Sequence, residues 1–170
     1  MNRKRKVTAS KGWAVILPVF FLITFIAAKA CATMQTETSQ VDLYIKGKKT
    51  SLSLSKPEVQ QIVQSCEEQL QQADDILRLA VSSEAIEDIK QGETALEILY
   101  GSPKTFVIGF NKNTVEVDRL LIPLTGDFAA AGQMTTIFLG KGKYMAGPYR
   151  NKQGTSAIQL ILEQMGFSFK

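Results

Sequence analysis

The stretch "WAVILPVFFLITFIAA", Trp13 to Ala28, constrains this chain more than any other: sixteen residues without a charge and with one hydroxyl, Thr24. Inside a soluble core it would need apolar neighbours on every side. Yet it follows Arg3, Lys4, Arg5, Lys6 and Lys11, a cluster that has to stay wet. A positive start followed by an apolar run is the pattern of a targeting or anchoring segment. Residues 1–31 are therefore read as a signal peptide or membrane anchor, an N-terminal hydrophobic leader that is no part of the folded body. Positive residues stay on the cytoplasmic side, so the body is expected outside, membrane-anchored or secreted.

Where the leader ends is open among three fates. Ala28-Lys29-Ala30 and Ala30-Cys31-Ala32 both offer the small residues that a signal peptidase requires. Ala30-Cys31 also suits attachment of a lipid to the Cys31 thiol, although Lys29 is a poor neighbour for that reaction. Retention is the third fate. Sixteen helical residues reach about 24 Å, whereas Gly12 to Met34 reaches about 35 Å against a hydrocarbon core of about 30 Å. Length does not separate cleavage from anchoring, and removal or lipidation at this site is preferred slightly over an uncleaved anchor.

The overall charge of +4 is misleading about the body. Residues 1–30 hold six basic side chains and no acid, and residues 31–170 hold 14 basic and 16 acidic ones. A grip on nucleic acid needs clustered Lys and Arg to displace phosphate counterions, so no nucleic-acid partner is expected. The chain has no histidine and two cysteines, Cys31 and Cys66. That removes the usual Ser-His-Asp and Cys-His nucleophiles, and the His-based and thiolate metal sites. No cofactor, no metal and no catalytic residue is assigned. "GKGK" at 140–143 lacks the spacing of a phosphate loop and reads as a hairpin turn.

Residues 32–40, "ATMQTETSQ", read as a polar linker, and residues 41–170 as a single α+β domain. "VDLYIKGKKTSLSL" alternates about a glycine turn and predicts a hairpin. Ser55-Lys56-Pro57-Glu58 has the form of a capping box. Behind it, Val59, Ile62, Val63, Cys66, Leu70, Ala73, Ile76, Leu77 and Ala80 hold one stripe, predicting a helix over 56–80 with Glu67, Glu68, Asp74 and Asp75 on its wet side. A second helix is predicted over 83–91 and a third over 155–165, each stopped by a glycine. Between them, strands are expected around 96–100, 106–110 and 115–117, with Pro123 marking an edge or a bulge. "MTTIFLG" and the residues around Tyr144 predict one more hairpin. Short connections favour antiparallel pairing. The fold class is therefore a mostly antiparallel sheet with a long amphipathic helix and a C-terminal helix packed on one face.

Two stretches suggest binding. "GPYRNKQG" places Tyr149, Arg150 and Asn151 in a Gly/Pro-bounded loop, where a rigid ring and a forked donor would anchor a protein or an anion. A plain packing role, with Arg150 paired to an acid, is the preferred reading. "TGDFAAAGQ" is an irregular stretch that either sets Asp127 and Phe128 at the rim of a pocket or uses its small residues only for a tight crossing. Arg119 completes the candidates. The expectation is an exported or membrane-anchored, non-enzymatic module that binds a protein or small ligand and meets the membrane through its N-terminal segment. The alternatives are a histidine-free hydrolase using carboxylates with Arg119 or Arg150, and a membrane-tethered structural subunit that pairs through a sheet edge.

Overall fold

The computed structural model describes residues 38–169; the leader, Cys31 and most of the linker lie outside the described residues. The chain opens with β1 (Thr38–Ile45) and β2 (Lys48–Leu52), the expected hairpin. Its two-residue turn, Lys46-Gly47, has φ of 46° and 81°, the left-handed pair that matches strand twist. The sheet starts three residues before the expected domain boundary, because Thr38 already pairs with Tyr100.

Helix α1 (Pro57–Gln71) begins with proline at a position where no N–H is needed. The capping box is not formed. Lys56 is the cap residue and makes no side-chain cap bond, and the Ser55 hydroxyl pairs with Ser53 instead. The helix also stops nine residues short of the expected end. Asp74 N–H bonds to Arg150 O, and β3 (Asp75–Ile76) pairs with β8 (Tyr149–Asn151). Tertiary strand pairing therefore took the residues that would have continued the stripe. Helix α2 (Ser83–Gly92) is capped by the Ser82 hydroxyl, which accepts from Ala85 N–H at 3.1 Å.

The two strands expected around 96–110 are one, β4 (Thr94–Val107), whose register against β5 (Thr114–Pro123) shifts between Leu99 and Lys104. Gly101 and Pro103 fall in that shift, residues suited to an irregular ladder. Pro123 is the last residue of an interior strand, beyond the last pairing with β6 (Thr135–Lys141), so it marks neither an edge nor a bulge. The irregular stretch forms a 3-10 turn over Asp127–Gly132. The short β7 (Lys143–Tyr144) folds back on β6, and α3 (Ser156–Gln164) ends at Gly166, φ 92°.

Every strand pairing is antiparallel, in the order β2-β1-β4-β5-β6-β8-β3, with β7 beside β6. Alternation sends Val41, Leu43, Leu96, Ile98, Leu120 and Ile122 to one face. Helices α1 and α3 cover that face, with Ile62, Val63, Cys66, Leu70, Ile158 and Leu162 in the same core. Helix α2 goes to the other face, where Ile86 and Ile89 pack with Ala95, Leu121 and Phe138. The two helices expected on one face are there, and the third divides the opposite side.

Candidate functional site on the second face of the sheet

Opposite the main core, alternation brings up Asp42 and Tyr44 from β1, Glu97 from β4, Arg119 from β5 and Tyr144 from β7. Asp42 and Glu97 are directly opposed across the β1–β4 ladder. Their side chains are 0% and 7% exposed. Two unscreened carboxylates at that distance would repel strongly, so each needs its own cation.

Each has one. Asp42 accepts from Lys49 Nζ, Gln40 Nε2 and Ser51 Oγ, all at 2.7 Å. Burial alone would raise its carboxyl, but these hydrogen bonds and the Lys49 charge outweigh burial and hold it below the ordinary carboxylate range. Glu97 accepts from Lys90 Nζ at 2.8 Å and Tyr144 Oη at 2.6 Å on one oxygen, and from Tyr44 Oη at 2.9 Å on the other. Here too burial pushes up, while Lys90 and the two phenols win and hold the group low. The Lys90 ammonium lies 5.0 Å from the Tyr44 ring centroid and 5.8 Å from that of Tyr144, inside cation–π range. Both phenols are raised, first by burial and then by the Glu97 carboxylate.

Arg119 extends this row. Its Nε donates to Asp118 Oδ1 at 2.7 Å, and Asp118 Oδ2 accepts from Gly142 N–H at 2.6 Å. The side chain lies flat over Gly140, its cross-strand partner, where an added Cβ would come within 2.5 Å of Arg119 Cγ. Glycine at 140 is thus what lets the guanidinium reach across β6 toward Tyr144.

The other candidates are not brought to this row. Tyr149 to Asn151 form β8 and not a loop; Tyr149 is 7% exposed and Arg150 half-buried, an arrangement closer to the preferred packing role than to an exposed anchor. Tyr149 faces the core and meets Phe110 edge-on at 6.4 Å. Asn151 Nδ2 donates to Gln69 O at 2.9 Å and ties β8 to α1. Arg150 Nε is buried without a hydrogen-bond partner, and the strand neighbour of Arg150 is Asp75. Asp127 is exposed at the start of its turn. Its N–H bonds to the Glu93 carboxylate, which burial and the Asp127 charge push above its ordinary value. Within that stretch the approach is tight at Gly126, where an added Cβ would sit 2.1 Å from Glu93 Oε1, and Gly154 in turn is pressed against the backbone of Gly132.

Glu67 also departs from expectation. It is 12% exposed, takes both oxygens to Lys104 Nζ at 2.8 Å and accepts from Tyr100 Oη at 3.0 Å, pinning α1 to the irregular part of β4. Cys66 is fully buried, and burial raises its thiol to about 12. Among the described residues no group of three His, Cys, Asp or Glu side chains could hold a metal ion. Comparison with protein families, with curated proteins and with solved structures gives no match.

Sequence reasoning found Arg119 and missed Asp42, Tyr44, Lys90, Glu97 and Tyr144. A signal was present: α2 carries its own apolar pair, Ile86 and Ile89, and Lys90 directly follows Ile89. A helix between two strands with its own stripe needs a sheet face, and the polar residues alternating with the core strands lie on that face.

Proposed function

We propose that this chain is an exported or membrane-anchored module that binds a protein or small ligand and performs no catalysis. One observation carries the non-catalytic half. Both buried carboxylates of the second sheet face are ionised and fully engaged, Asp42 by Lys49 and Glu97 by Lys90 and two phenols. A catalytic acid needs a raised carboxyl, and a base needs a free lone pair aimed at substrate. Neither condition is met here, although Arg119 and two buried acids do share one face as the hydrolase alternative requires. The row itself is buried at its carboxylates, and Arg119 at its end, 30% exposed, is the group left to meet a ligand from this face. The location half rests on the leader, whose six basic side chains precede or flank the apolar run.

The test is fractionation of the native host followed by intact-mass measurement. Recovery in the envelope or the medium, either full length or starting near Cys31, is the expected result. A full-length chain in the cytosol would remove the location half, and turnover of a small substrate abolished by Glu97→Gln would remove the non-catalytic half.

A further inference from the structure

The β1–β2 hairpin gathers positive charge on an otherwise acidic body. Residues 43–57 hold Lys46, Lys48, Lys49 and Lys56 and no acid, Lys49 being paired to Asp42 earlier in β1, whereas the remainder of residues 31–170 holds 10 basic and 16 acidic side chains. β2 ends the strand order, so its outer edge has no partner strand among the described residues. The opposite end of the sheet is the two-residue β3, too short to template a strand. In a two-residue hairpin the pair closing the turn, Ile45 and Lys48, exchanges both backbone bonds. Alternation then points the N–H and C=O of Lys49 and Ser51 outward. The edge is braced, because Lys46 N–H donates to Glu93 O and Gly47 N–H to Lys90 O, both at 3.0 Å.

Lysines on an edge repel a like-charged strand, which works against a second copy pairing through β2. The same charges attract an acidic strand. We propose that β2 is a docking edge that takes an extended acidic segment of a partner protein as one more strand of the sheet. Main-chain bonds to Lys49 and Ser51 would give the affinity, and the exposed Lys46 and Lys48 the selectivity, Lys49 being held by Asp42. This rests on the binding-module reading and names the class of partner. A bound strand would leave the Glu97 network untouched, since it lies under the sheet face, whereas the side chains of Lys49 and Ser51 hold Asp42, so these two residues offer the partner their outward main-chain groups alone.

The test uses the full-length chain in a neutral detergent and a fluorescent nonapeptide of alternating Glu and Thr carrying a photo-crosslinker. Saturable binding with cross-links within 48–52 is expected. Lys48→Glu, an exposed position, should weaken it by at least about tenfold. Methylating every backbone nitrogen of the probe keeps its charge, leaves the fold untouched and should abolish binding. No binding, or binding indifferent to methylation with cross-links in residues 1–11, would overturn the proposal. Capture of phosphatidylglycerol vesicles lost in Lys48→Glu, with no peptide capture, would overturn it and assign the hairpin to a lipid surface. If the probe fails while the chain is recovered from the envelope, the edge alone is refuted. A cytosolic chain would refute the module reading whatever the probe does.

Discussion

At Glu97 the fold places a carboxylate where only a complete set of partners makes it tolerable. Removing it leaves the Lys90 ammonium, 10% exposed, against two aromatic rings with only the exposed Glu87 carboxylate, 3.9 Å away, as counter-charge. Glu97→Ala should therefore cost about 3–5 kcal/mol in chemical denaturation. The Glu97 carboxyl is held below its unfolded value, so the contribution is complete above about pH 4.3 and is lost as pH falls through the lowered value. Glu93 has the opposite sign. Burial and Asp127 raise its carboxyl, so the folded chain gains relative stability as pH falls and loses it as pH rises through the raised value. Glu93→Gln should raise Tm at pH 7 by about 1–3 °C, an advantage that shrinks toward pH 4 in calorimetric scans. Cys66, fully buried with its thiol raised to about 12, should stay unalkylated by iodoacetamide in the native chain and react once guanidinium unfolds it.

Among the elements, the hairpin, α2 and α3 were legible because each combines a clear period with a local stop, such as Gly47 or Gly166. The end of α1 was not. Ala73, Ile76 and Leu77 continue a helical stripe, but Ile76 pairs with Tyr149 and Leu77 N–H bonds to Pro148 O. No local pattern reveals a strand whose partner is three residues long and lies more than seventy residues away. The networks on the second face were hidden for a related reason. Asp42, Tyr44 and Glu97 alternate with core residues as solvent-facing side chains do; Lys90 of α2 and Tyr144 of β7 close over Glu97, and Gln40, Lys49 and Ser51 over Asp42. The crossing of the 3-10 turn with the approach to α3 is a further long-range feature. Gly154 has φ 71°, and an added Cβ would collide with Gly132 O, so Gly154→Ala should destabilise by at least about 2 kcal/mol in denaturant titration.

On the scale of the molecule, one antiparallel sheet separates two environments. α1 and α3 close an apolar core on one side, and on the other α2 shares the face with a row of paired charges running from Lys49 to Arg119. A charged leader before a body with this division suits the module proposed above, its apolar core sealed on one side of the sheet. The position of the body relative to the cytoplasmic membrane is the central claim. It is tested most directly by giving the exposed Lys152, 81% accessible, a thiol through Lys152→Cys. A maleimide that cannot cross the cytoplasmic membrane is then applied to intact cells of the native host, with the unsubstituted chain as the blank, which subtracts any label on Cys31 while buried Cys66 stays silent. Labelling at position 152 in intact cells is the predicted result; labelling that appears only after lysis would contradict it.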